Sequence, residues 1–277
     1  MKKLIALLLV AFMMFAFCSC GGKDKDTVLS SSTESVSSKV ASSADETETS
    51  SEEPEKKAKS VTRYFLYGPG KSLKTTYDVD YSEDGKITVN LFDKNNYKTG
   101  SHVYEYDENG LVMFFGVYDK DGNEKGYTTY EYSNNMKISA EYYYEEDALR
   151  STTEYQYNEN GVIVSKTVEK VGEAEVYKWD YANNGDKPYA VYISTPSRPN
   201  FEGYNFADNA NGKLYQKVHI VNGISNDYWS YDYDADGDCI YRGYYNVQHS
   251  LVEYYEFKYG EASELAAKAF KGTGILD

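Results

Sequence analysis

Asp232, Asp234 and Asp236 alternate ahead of Gly237, which is how a calcium-binding loop opens: carboxylates at its first, third and fifth places and a glycine at the sixth. The twelfth place, where such a loop needs a bidentate glutamate, is Gly243. Without that closing ligand the three acids make at most a weak cation site. The same string is also one copy of a recurring turn whose other copies carry Asn, Ser or Ala, so hairpin chemistry is the better account of it and weak calcium binding the lesser. Asp119, Asp121 and Asn123 alternate around Gly122 in the same way.

Other motifs fall short of chemistry. Gly68-Pro69-Gly70-Lys71-Ser72 resembles the tail of a phosphate-binding loop, but the glycine required five residues before Gly70 is Phe65 and no helix pattern follows. His102, His219 and His249 are far apart and lack metal-ligand spacing. No Gly-x-Ser-x-Gly elbow occurs, and the carboxylates are too numerous to nominate a glycosidase pair. Cys239 reads as a small packed hydrophobe on a strand. No enzymatic role and no cofactor are expected.

The residues with a functional leaning are aromatic. Tyr104/Tyr106, Tyr130/Tyr132, Tyr155/Tyr157, Trp179/Tyr181 and Tyr231/Tyr233 each stand two apart, and residues two apart on a strand share a face. Such rings stack on sugars and anchor protein interfaces, or else simply hold a sheet together. Trp179, Trp229, Tyr130, Tyr155 and Tyr231 are the candidate ligand-binding residues.

The elements that carry them repeat about every 25 residues, with turn positions at Gly85, Gly110, Met136, Gly161, Gly185, Gly212, Gly237 and Gly260. Asp or Asn followed by Gly supplies the left-handed backbone of a hairpin turn; Met136 lacks that ease and leaves Asn134 and Asn135 to provide it. A second β-rich run follows each turn. Two strands per unit predict an all-β antiparallel meander of about 15 strands, in an extended, twisted or spiral single-layer sheet, with a closed propeller or barrel as the alternative. The preference for an open sheet rests on 31 tyrosines, which cover apolar area while keeping a wet hydroxyl, and on aromatics at consecutive positions such as Phe114-Phe115. ELAAKAF within residues 261–277 predicts a short helix and tail that cap the array.

Charge and address come from the remaining residues. A formal charge of −15 opposes nucleic-acid binding. Lys, Glu and Thr throughout the strands oppose a membrane-spanning barrel, which needs an outward apolar band. Lys2-Lys3, the apolar run Leu4 to Phe17 and Cys20-Gly21-Gly22 resemble a bacterial lipoprotein signal at 1–19. The resemblance implies lipidation at Cys20, since Ser19 before it is small, whereas Phe17 before Cys18 is not. Residues 20–60 are rich in Ser and Glu and poor in apolar side chains, which predicts a disordered tether to the repeat domain at 61–260.

Tyr104 to Tyr132, YEYDENGLVMFFGVYDKDGNEKGYTTYEY, is similar to the tyrosine-aspartate repeats of bacterial RHS proteins. That resemblance implies successive hairpins building spiralling β-sheet shells. The expectation is therefore a protein held by its N-terminal lipid at a bacterial cell membrane or surface, outside the cytoplasm. There the sheet would bind a glycan or an envelope protein. The alternatives are an immunity-like or structural partner pairing through a sheet edge and a glycan-active hydrolase.

Overall fold

The computed structural model describes residues 57–144, 147–170, 173–181 and 187–276. The signal, Cys20, most of the expected tether and the turn at Gly185 lie outside the described residues.

Sixteen strands follow one another: β1 (Lys57–Gly68), β2 (Ser72–Asp80), β3 (Lys86–Asp93), β4 (Lys98–Tyr106), β5 (Val112–Asp119), β6 (Glu124–Ser133), β7 (Met136–Tyr144) and β8 (Ala148–Tyr157). They continue with β9 (Ile163–Lys170), β10 (Glu173–Tyr181), β11 (Pro188–Thr195), β12 (Arg198–Asp208), β13 (Leu214–Val221), β14 (Ile224–Tyr233), β15 (Cys239–Tyr245) and β16 (Leu251–Ser263). Each pairs antiparallel with its sequence neighbours, and β16 pairs with β1, opposing Phe257 to Tyr64 and Tyr259 to Val61. The sheet is a closed barrel. This overturns the open or spiral single-layer sheet: β1 begins at Lys57, outside the aromatic repeat, and supplies the strand on which β16 closes. Closure satisfies the backbone donors and acceptors that two free edges would leave unpaired.

The turns are made by local chemistry. Asp107 Oδ1 accepts from the backbone N–H groups of Asn109 and Leu111, both at 2.9 Å, and Gly110 takes the left-handed conformation at φ 72°. Asn158, Asn209 and Asp234 make the same bonds in their own turns, and so, at the other end of the barrel, do Asp93, Asp119 and Asn246. Between β6 and β7 the turn is only Asn134-Asn135, at φ 51° and 63°, which are the two residues expected to carry positive φ where glycine is missing.

In the pairs Tyr130/Tyr132, Tyr155/Tyr157 and Tyr231/Tyr233 the second aromatic is a clamp, and Tyr259 and Tyr81 act in the same way. Tyr132 donates its hydroxyl to the carbonyl of Val112 (2.9 Å), Tyr157 to Lys137 (2.8 Å), Tyr233 to Leu214 (2.8 Å), and Tyr259 to Cys239 (2.9 Å). Tyr81 does the same to Val61 at 2.7 Å. Each hydroxyl reaches the preceding strand at the open end of a hairpin, opposite its turn. The ring is spent on apolar contact and the hydroxyl on a carbonyl at the sheet's rim.

A circular barrel of sixteen strands about 4.8 Å apart and tilted by about 40° would measure roughly 30 Å between opposite backbones, too wide for facing side chains alone to fill. The helix α1 (Glu264–Lys271) and the tail after it fill part of the space. Ser263 caps the helix by accepting from the Ala266 N–H at 3.1 Å, and Ala266, Ala267, Ala269 and Phe270 are buried. They join a core formed by Val61, Tyr64, Val79, Ile87, Val89, Tyr104, Val112, Tyr231 and Phe257, which belong to β1–β5, β14 and β16. The strands' other face bears Arg63, which pairs with Asp78, and Glu105, Glu131, Glu154 and Lys258, all exposed except the half-buried Asp78. Charged side chains on that face cost about 2–4 kcal/mol each at a bilayer midplane for Lys and Arg, so this surface is not built against acyl chains.

Candidate functional site

The C-terminal tail identifies the inside of the barrel. Thr273, Gly274 and Ile275 share a cleft of about 290 Å³ with Tyr64, Tyr77, His102, Tyr104, Phe115, Arg242 and Tyr255. Side chains from β1, β2, β4, β5, β15 and β16 converge on one short segment only from within.

From these residues the register carries the inner face around the barrel, because directly opposed residues and residues two apart share a face. Tyr255 opposes Arg242, which opposes Tyr231. Two residues earlier, Trp229 opposes Lys217, and His219 opposes Tyr204, then Val191, then Trp179. Tyr177 opposes Lys166 and Lys166 opposes Tyr155; Thr153 opposes Ala140 and Ala140 opposes Tyr130. Trp179, Trp229, Tyr130, Tyr155 and Tyr231 thus all stand on the lumen wall. Tyr231 is buried in the core, whereas the other four are half-buried.

The rings do not stack unit upon unit as simple columns. Matching rings of successive units are separated by an intervening strand, and on the β7–β16 side that strand often offers a cation. The Lys137 ammonium lies 4.0 Å from the Tyr130 ring centre, Lys166 4.1 Å from Tyr177 and Lys217 4.8 Å from Tyr204. The Arg242 guanidinium sits 5.1 Å from Trp229 and 4.6 Å from Tyr255. Each is within the range at which a cation is drawn to an aromatic face. Burial, then the charge of Lys166, holds the Lys137 ammonium below the ordinary lysine pKa; burial, then Lys217, does the same to Lys166. Burial, then Tyr130, pushes the Tyr155 hydroxyl up to about 12.

Beside these groups a cleft of about 500 Å³ is lined by Lys137, Tyr155, Tyr157, Gly161, Val162, Ile163 and Pro188. On the opposite side of the ladder His219 bridges two carboxylates, with Nδ1 3.1 Å from Asp227 and Nε2 3.0 Å from Glu202, and stacks on Tyr204. His102 meets the edge of Phe115, and burial lowers its pKa. Neither stands beside a nucleophile arranged for attack.

The acidic motif is placed differently. Asp232 is exposed on the outer face of β14. Asp234 and Asp236 converge instead with Asp238, and the Lys59 ammonium lies 3.3, 2.9 and 2.7 Å from the three in turn. A lysine from β1 supplies the cation, and Asp234 is the turn acceptor that Asn158 and Asn209 provide elsewhere. Gly68–Ser72 is the turn between β1 and β2, with Gly70 and Lys71 at positive φ. Cys239 is buried, and its thiol is raised to about 11 by burial.

Sequence reasoning passed over Lys137, Lys166, Lys217 and Arg242. Their signal was present as parity: each is directly opposite an aromatic in an adjacent strand, a relation that needs the register to be read.

No family model and no curated protein matches the chain. Solved structures similar to it include a porin-like protein from Bacteroides uniformis, 10% identical, covering 72% of this chain and 98% of that one with a TM-score of 0.36. A porin-like protein from Bacteroides vulgatus is 12% identical over 72% and 98%, with a TM-score of 0.34. The Tc holotoxin pore of Photorhabdus luminescens is 13% identical over 67% of this chain and 13% of that one, with a TM-score of 0.21. Similarity of this degree transfers no function.

Proposed function

We propose that this chain is a non-enzymatic bacterial envelope lipoprotein, anchored through Cys20, whose barrel lumen binds an extended glycan along its aromatic wall. One observation carries the reading: the barrel already seats a segment of chain among the rings there. The tail Thr273–Ile275 lies against Tyr64, Tyr77, Tyr104 and Tyr255, and the Ile275 carbonyl accepts from Arg242 Nη1 at 2.9 Å. Flat rings flanking a hydrogen-bonded oxygen acceptor suit a sugar chain, whose ring faces stack and whose hydroxyls and ring oxygens bond. The lumen on the β6–β10 side presents the same kind of wall, with Tyr130, Tyr155 and Trp179. The lipoprotein-like N-terminus supports the location.

Because the seated segment is a peptide, an extended segment of another envelope protein is the second reading. Strand addition is not, since every strand is paired on both sides. Isothermal titration of the full chain against cell-wall and capsular oligosaccharides tests the proposal. Tyr155→Ala and Trp179→Ala should each weaken a bound oligosaccharide by about tenfold, the equivalent of one lost stacking contact of roughly 1.4 kcal/mol. Binding that is indifferent to both substitutions places the ligand outside the lumen.

A further inference from the structure

We propose that the β6–β10 stretch of the lumen selects an acidic polysaccharide, its sugar rings on Tyr130 and Tyr155 and its carboxylates on Lys137 and Lys166. This rests on the lumen being a glycan site and goes further by fixing the charge of the glycan.

The observation is an imbalance of partners inside a strongly acidic protein. The carboxylates of this wall are engaged: Glu175 pairs with Lys170 at 3.0 Å and accepts the Tyr177 hydroxyl at 3.1 Å, while Glu202 and Asp227 hold His219. Lys137 and Lys166 are different. Among the described residues neither ammonium has a carboxylate within ion-pair distance, and each instead faces a ring. Both are half-buried and each feels a like charge, Lys137 that of Lys166 and Lys166 that of Lys217, the last offset only in part by Glu175, which is itself paired with Lys170. Two partly buried ammonium groups held close together are costly unless something negative meets them.

The surroundings specify what kind of anion. Each ammonium is next to a tyrosine ring; Lys137 borders the 500 Å³ cleft with Tyr155, and Lys166 stands opposite Tyr155 in the register, so charge and a flat stacking surface are presented together. A hexuronate has both a ring face and a carboxylate. A phosphate group alone would use the ammonium groups but has no ring face to lay on the tyrosines, whereas a hexuronate uses both. The protein's charge of −15 does not forbid the encounter. At physiological salt its field decays over about 8 Å, whereas contact inside the lumen is screened far less.

The test is calorimetric titration of the full chain with hexagalacturonate, cellohexaose and hexaglutamate. Hexagalacturonate should bind at least about tenfold more tightly than either of the others. Lys137→Gln and Lys166→Gln should each bring it down to the level of cellohexaose and leave cellohexaose unchanged, while Lys137→Arg retains the preference. Thermal unfolding of the Gln variants should occur no lower than in the parent, since one of two repelling charges is gone. Equal binding of hexagalacturonate and cellohexaose overturns the assignment of charge and leaves the glycan site standing. Equal binding of hexaglutamate overturns it in favour of an acidic peptide. No binding of any of the three overturns both.

Discussion

The tyrosines of each pair have separate duties. The second member clamps a hairpin: Tyr233 donates to the carbonyl of Leu214 at the open end of β13 and β14. Tyr233→Phe keeps the ring and removes the donor, leaving a partly buried carbonyl without it; the expected loss is about 1–3 kcal/mol, read as a lower midpoint in urea with an unchanged slope. The first member lines the lumen or the core. Alternation in the sequence put both on one face and identified them as the residues to watch, but it gave them equal standing. What separates them is distance from the rim of the sheet, since only the ring nearest the turn reaches a carbonyl on the preceding strand.

Hairpin turns were the most legible elements, because an Asx side chain that accepts from the N–H groups two and four residues on completes its bonding within five residues. Asp234 is such an acceptor, with bonds of 3.0 Å to Asp236 and 2.9 Å to Asp238. Asp234→Asn should therefore be tolerated within a few tenths of a kcal/mol, as Asn158 and Asn209 do the same work, while Asp234→Ala should cost about 1 kcal/mol, the scale of a lost helix cap. Added calcium should leave the thermal midpoint of the parent unchanged, because Lys59 already occupies the three carboxylates; a rise that saturates with calcium would restore the metal reading. β1 was less legible. Its sequence KAKSVTRYFLYG lies ahead of the 25-residue repeat, and although Phe65 and Tyr67 stand two apart nothing local announces that it completes a barrel.

The barrel as a whole stores its tyrosines in protonated form. Burial raises the hydroxyls of Tyr64, Tyr104 and Tyr81 well above the ordinary tyrosine value, and Tyr155 to about 12. A group whose folded pKa lies above its unfolded one contributes stability that is complete below the unfolded value, near 10, and is lost as pH rises through the folded value. Lys137 and Lys166 act oppositely: their lowered folded values mean that charging them opposes folding, a penalty relieved as pH climbs towards the unfolded lysine value. Stability should hold or rise slightly up to about pH 10 and then fall steeply, with tyrosinate absorbance and loss of β-sheet circular dichroism appearing together. Stepwise ionisation without unfolding would show that the hydroxyls are wet.

By itself the sequence determined what is settled over a few residues or by composition: a β meander of repeated hairpins, the left-handed Asn134-Asn135 turn, and strands rich in charge. Only the tertiary structure decided closure, the identity of the inner face and the company the rings keep. Closure joins Tyr64 to Phe257 across nearly the whole domain and depends on twist summed over sixteen strands, which no window of sequence contains. A period of two says that every strand has two faces; which of them becomes a lumen, and so brings Lys137 and Lys166 beside Tyr130 and Tyr155, is fixed when the first strand meets the last.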